Sequence, residues 1–271
     1  MSDPLAAHLT KWRLTPDGEP FETNSSWLAF VRAGGAPALL KVYKPGADEL
    51  SGAAVLRHWG NRAAQVFEAD DGAVLMERAM PGTPLTEFVS DDDRATNIWC
   101  DTVQALHVKP APEGWPDLLR CGRKLNNPWP QQDGLTRDVF ERGKAEYFGL
   151  CATQAPERFL LHGDLHHANM LKDDKRGWLV VDPKGYAGEI AFETAAFLHN
   201  PTRKYWQASV LERRIAILAR RLALDAERVL RWSFAYGVLS AIWSIEDGHD
   251  PVRGIESAKA ALEVLGRAGK S

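Results

Sequence analysis

At 271 residues the chain can bury a sizeable core, as one large domain or two small ones. Its 45% hydrophobic and 25% charged residues are ordinary for a soluble globular protein, and a net charge of −3 gives none of the basic footprint of a nucleic-acid binder. No apolar run approaches the ~20 residues of a membrane span, so neither nucleic acid nor membrane is expected as a partner.

The stretch MSDPLAAHLTKWRL lacks a basic segment followed by an apolar one, so no signal peptide is expected. Cys100, Cys121 and Cys151 are far apart and odd in number, which argues against a disulfide framework or a zinc site and fits a reducing cytoplasm. Residues 21–78 read as β-rich. FETNSSWLAFVRA and ALLKVYK form a hairpin across Gly34, Gly35 and Pro37. ADELSGAAVLRHWG reads as a helix, then AQVFEAD and AVLMERA as a second hairpin, so a small antiparallel sheet with one packed helix is expected. MPGTPL reads as a linker or hinge. Ser90 caps a helix that starts with Asp91, Asp92 and Asp93 and ends at His107. Residues 108–134 read as mostly loop, Leu135 to Cys151 as a helix, and Ala208–Leu224, Ala226–Glu246 and Ile255–Gly266 as further helices, the second capped by Asp225.

Leu160 to Gly185, LLHGDLHHANMLKDDKRGWLVVDPKG, is an apolar run, a polar loop, a hairpin and a second apolar run ending in Asp182. Transfer of a phosphoryl group to an alcohol needs a carboxylate to orient the hydroxyl and accept its proton, the role assigned to Asp164. Mg²⁺ takes one or two protein oxygens and leaves the rest to phosphates and water, which Asn169 and Asp182 satisfy. His162 reads as a buried or hydrogen-bonded brace of the loop. Of His166 and His167, either positions Asp164 or faces solvent. Lys41, on a strand with apolar neighbours, is either an edge lysine or a phosphate neutraliser. Glu49 is either its partner or an ordinary first-turn acid. Ser25 and Ser26 stand in a turn suited to covering phosphates, and Glu77 to Ala79 are placed to offer backbone groups to an adenine edge.

HGDLHHAN followed by VVDPKG resembles the aminoglycoside phosphotransferases, and the DPKG in particular their streptomycin 6-kinase and hydroxyurea-resistance branch. LLKV, LMERAMPGTPL, the LH at 106–107 and GEIAFETAAFLHNP extend the resemblance over most of the chain. It implies a protein-kinase-like α+β fold of two lobes, residues 1–79 as the small nucleotide-binding lobe and 80–271 as the helical lobe. It also implies Asp164 as the base, Asn169 and Asp182 as Mg²⁺ ligands, Lys41 on the phosphates, Glu77–Ala79 as the adenine hinge and Glu193 as a brace of the catalytic loop. The implied reaction is ATP- and Mg²⁺-dependent phosphorylation of a small polyhydroxylated acceptor, an aminoglycoside of the streptomycin type, with GTP left open as donor. A cytoplasmic monomer or weak dimer is expected. Acceptor contacts are sought among Glu189, Trp206, Trp232, Tyr236, Trp243, Glu246 and Asp247; Trp232, Tyr236 and Trp243 share one helix face, as core or as pocket. A sugar or inositol-like metabolite kinase and a catalytically silent nucleotide-binding module are the alternatives.

Overall fold

The computed structural model describes residues 4–45, 52–155 and 157–268. Contacts divide the chain into two compact units, Met1–Pro84 with Asn169–Lys184, and Leu85–Ala168 with Gly185–Ser271. The division comes a few residues later than 79/80 and returns the segment after HGDLHHA to the N-terminal unit.

In the first unit, α1 (Ala6–Lys11) leads to β1 (Thr15–Pro16), β2 (Phe21–Glu22) and the long hairpin of β3 (Ser26–Ala33) and β4 (Ala36–Tyr43). Gly34 and Gly35 form its turn at φ 57° and 88°, the left-handed conformations that a two-residue hairpin turn requires. Then come α2 (Gly52–Trp59), β5 (Val66–Ala69), β6 (Ala73–Glu77) and β7 (Pro81–Pro84). The main sheet is antiparallel in the order β1-β3-β4-β6-β5, with β2 also on β3. Val31, Ala38, Leu40, Val42 and Leu75 pack with Leu5, Leu9 and Trp12 of the N-terminal segment. That segment and β1 were not among the expected elements, since two residues carry no alternation to read, whereas β2 lies in the extended stretch FETNSSWLAFVRA.

The later strands are β8 (Phe159–Leu161), β9 (Met170–Asp173), β10 (Gly177–Val180) and β11 (Tyr186–Gly188). MPGTPL is not a bare linker: Pro81–Pro84 is the edge strand of a three-stranded sheet, β10-β9-β7. Proline cannot donate to a ladder and is therefore tolerated at such an edge. Asp173 secures the junction by accepting the Met80 N–H at 3.0 Å, while Met80 accepts the Asp174 N–H at 2.8 Å.

The second unit holds the short strand pair β8 and β11 and the helices α3 (Asp92–Leu106), α4 (Leu118–Cys121), α5 (Arg137–Ala152), α6 (Ile190–Leu198), α7 (Ala208–Leu222), α8 (Ala226–Glu246) and α9 (Val252–Ala268). Asp91, not Ser90, caps α3, accepting the Arg94 N–H at 3.0 Å. Asp92 is then turned inward onto the fully buried Arg214, 2.6 Å away, whose guanidinium also serves the carbonyl of Asn200. Asp225 caps α8 as expected. Helices α8 and α9 meet at two glycines. A Cβ on Gly254 would lie 2.5 Å from the Ala241 nitrogen and 2.6 Å from the Gly237 carbonyl oxygen. Because the obstacle is backbone, Gly254→Ala is expected to force the helices apart and cost about 1–3 kcal/mol, read as a lower urea midpoint at unchanged slope.

Candidate active site

Strand β4 is interior to its sheet, so Lys41 is not an edge lysine. It stands opposite Leu28 on one side and Val74 on the other. It is 4% exposed, and its ammonium donates to the Asp182 carboxylate. A charge in the middle of an apolar sheet is costly unless it is paired, and the carboxylate supplies that pairing. Glu49, the other partner considered, lies outside the described residues.

Asp182 follows β10 and takes a left-handed φ of 63°. Aspartate tolerates that region better than most residues. The β9–β10 ladder pairs Met170 with Val180, and the Val181 N–H donates to the Asn169 carbonyl at 3.1 Å. The ladder thus sets Asn169 opposite the residue preceding Asp182. Among the described residues no cluster of three or more His, Cys, Asp or Glu side chains is arranged to hold a metal. Two oxygen donors on adjoining strand ends suit instead a hard cation that takes most of its ligands from phosphates and water.

Asp164 belongs to the second unit, in the loop after β8. The loop is held by its backbone. Glu193, buried on α6, accepts the His162 and Gly163 N–H groups, both at 3.1 Å. Burial pushes the Glu193 carboxyl up to about 8, with the charge of Asp164 adding to the rise and the two N–H donors opposing it. Trp99 of α3 donates its indole N–H to the Leu165 carbonyl at 2.8 Å. The sequence pattern shows Trp99 as part of an apolar stripe; that a buried indole needs an acceptor was the available signal for this role. His167 is fully buried and stacks on Phe197 with ring centroids 4.4 Å apart. Burial holds it neutral, its pKa lowered to about 2.

Glu193→Gln removes one acceptor and sets an amide N–H against a backbone N–H, at an expected cost of about 1–3 kcal/mol. The penalty depends on pH. A folded-state value of about 8 against an ordinary 4.5 means that the folded protein holds this proton more tightly. The wild type's stability from Glu193 is therefore full below pH 4.5 and declines as pH rises toward 8, by at most about 1.4 kcal/mol per unit. Urea unfolding of both proteins from pH 5 to pH 8 is expected to show the wild type's lead shrinking.

Near β6, the Glu77 side chain is spent on structure. It accepts from the Arg176 guanidinium and, at 3.0 Å, from the Gln65 N–H. Ala79 is buried, and its backbone N–H and C=O have no hydrogen-bond partner among the described residues. A buried donor and acceptor on one residue match the paired edge of a purine base. Ser25 is half-buried in the loop before β3, whereas Ser26 is fully buried in β3, which withdraws its hydroxyl from the proposed phosphate cover.

The expected acceptor residues fare unevenly. Trp232 is fully buried and donates its indole N–H to Glu189, whose other oxygen takes Arg228 at 2.7 Å. Tyr236 is 5% exposed, wedged edge-on between Phe192 and Trp243 at 5.7 Å from each. Trp232 and Tyr236 are thus core structure rather than open acceptor contacts, and the half-buried Glu189 is engaged by Trp232 and Arg228; helical spacing shows a shared face but not which way it points. Tyr236 stays neutral, because burial and then the charge of Asp164 raise its pKa. Glu246 is exposed but engaged by Lys124 at 2.7 Å and Asn127 at 2.8 Å. Trp206 remains half-buried, with its N–H on the His199 carbonyl, beside a cleft of about 420 Å³ shared with Glu256, Lys259, Glu263 and Arg267.

Residues 11–248 match the family model described as aminoglycoside/hydroxyurea antibiotic resistance kinase. The chain is 38% identical to a streptomycin 3''-kinase of Klebsiella pneumoniae, over 89% of this chain and 92% of that protein. It is 31% identical to a hydroxyurea phosphotransferase of Kitasatospora aureofaciens, over 98% and 79%. It is 27% identical to a streptomycin 6-kinase of Streptomyces griseus, over 90% and 83%. In fold it matches a thermostable mutant of aminoglycoside phosphotransferase APH(4)-Ia, solved with ADP and hygromycin B, at a TM-score of 0.71 and 16% identity over 98% of both chains. It also matches choline kinase LicA of Streptococcus pneumoniae at 0.65 and 13%, over 97% of this chain and 98% of that one.

Proposed function

The chain belongs to the aminoglycoside/hydroxyurea antibiotic resistance kinases, and from that membership we propose that it moves the terminal phosphoryl group of ATP, with Mg²⁺, onto a hydroxyl of a streptomycin-type aminoglycoside. It is a phosphotransferase with an alcohol group as acceptor. The observation that carries the reading is the buried Lys41, interior to its sheet and paired with the Asp182 carboxylate, a charge placement that stability alone does not favour.

In this reading Lys41 neutralises charge on the nucleotide phosphates, and Ala79 offers its free N–H and C=O to the adenine edge. Asn169 and Asp182 would hold Mg²⁺, which would neutralise charge on the phosphates. Asp164 orients the acceptor hydroxyl and takes its proton. Little covalent chemistry is asked of the protein; the rate comes from positioning and charge neutralisation.

The acceptor is tested with purified protein, ATP or GTP, and streptomycin, hydroxyurea, inositol and simple sugars in parallel, following nucleotide turnover and acceptor mass. Streptomycin is expected to give the highest kcat/KM. Phosphorylation confined to inositol or sugars would make the chain a metabolite kinase. Nucleotide binding with no turnover on any acceptor would make it a silent module.

A further inference from the structure

The two adjacent histidines of HGDLHHAN do different work. His167 points inward onto Phe197. The half-buried His166 folds back on its own loop: its Nδ1 accepts the Ala168 N–H at 3.2 Å, while its backbone N–H donates to the Asp164 carbonyl at 2.9 Å. A side-chain acceptor at residue i closing on the N–H of residue i+2 is the hydrogen bond by which Asn and Asp side chains build turns. Here an imidazole takes that place. An Nδ1 that accepts carries no proton, so the ring proton of His166 sits on Nε2.

The other anchors of this loop act before or beyond this point: Glu193 on residues 162 and 163, Trp99 on Leu165, and Phe197 on the His167 ring. Between them a 3-10 turn over His167–Asn169 supplies backbone bonds, and the His166 imidazole adds a side-chain bond onto the Ala168 N–H. We infer that His166 is a positioning residue of the phosphoryl transfer, acting through the Nδ1 bond to Ala168 that steadies the turn following the base Asp164. The inference rests on the functional reading above.

Three variants separate this role from others. Asparagine presents its side-chain oxygen where Nδ1 stands and keeps the bond. Glutamine places its amide near Nε2 and loses it. Alanine loses both. His166→Ala is expected to lower kcat about tenfold, the cost of one lost hydrogen bond, with the KM for nucleotide unchanged. His166→Asn is expected to recover most of that loss, and His166→Gln to behave like alanine. Thermal melts check that each variant is folded; should the alanine variant not fold, the Asn and Gln pair still decides. Nitrogen-detected NMR of the wild type is expected to show His166 as the Nε2–H tautomer. Rescue by Gln and not Asn would overturn the inference in favour of a distal contact to substrate, and three variants with wild-type kcat would overturn it outright. A wild type inactive on every acceptor would refute the functional reading instead, leaving the tautomer measurement to judge the turn.

Discussion

Asp164→Ala is expected to lower kcat by about 10²–10⁴-fold while leaving nucleotide affinity and folding close to wild type. The size follows from the role: a positioned base taking a proton in the transition state contributes a factor of that order. Folding is expected to survive because the loop is fixed by backbone bonds, from Glu193 to residues 162 and 163 and from Trp99 to Leu165, and these do not use the Asp164 side chain. The same variant has an electrostatic signature. Asp164 helps raise the pKa values of Glu193 and Tyr236, so its removal is expected to bring Glu193 down from about 8. Asp164→Asn keeps the shape and cannot take the proton, and is expected to match alanine in kcat. A variant retaining more than a tenth of wild-type kcat would remove Asp164 from the role of base.

Lys41→Met separates function from stability. Lys41 is buried, while the Asp182 side chain is 41% exposed. Removing the lysine leaves a carboxylate that water can reach and fills the strand position with an apolar side chain, so stability is expected to stay within about 1 kcal/mol of wild type. Nucleotide-dependent kcat/KM is expected to fall by about 10²–10³-fold, the usual loss when a preorganised charge aimed at the reacting group is deleted. Asp182→Ala is expected to lose on both counts, because it takes this carboxylate from a buried ammonium, at about 1–3 kcal/mol. Urea unfolding and steady-state kinetics on the two variants check the contrast. Equal destabilisation by both would mean that the pair is structural.

Much of this site was legible in the residues. Asp164, Asn169 and Asp182 lie within nineteen positions of one another, and DPKG ends an apolar strand, as the ladder of β9 and β10 bears out. Glu193 was visible only through the family resemblance, since a lone glutamate in an apolar helix names no partner. What stayed hidden depends on direction in space. Lys41 reads the same on an edge strand and on an interior one until β6 pairs beyond it. Trp232 and Tyr236 share a helix face whether that face meets a ligand or Phe192. Ser26 looks like its neighbour Ser25 until the hairpin register buries it. Two prolines disguised Pro81–Pro84 as a linker because an edge strand tolerates what a central one does not. Acceptor choice is the least legible property, because helical spacing shows which side chains share a face and not which of them stay open after folding.

In the proposed reaction a phosphoryl group passes from a nucleotide to a hydroxyl with Asp164 as base. Its most direct test is the mass of streptomycin recovered after incubation with ATP, Mg²⁺ and either wild type or Asp164→Ala. The wild type is expected to add one phosphoryl group to the drug and the variant, over the same time, almost none. Phosphate found on water or on the protein instead of the drug, or equal product from both proteins, would contradict the account.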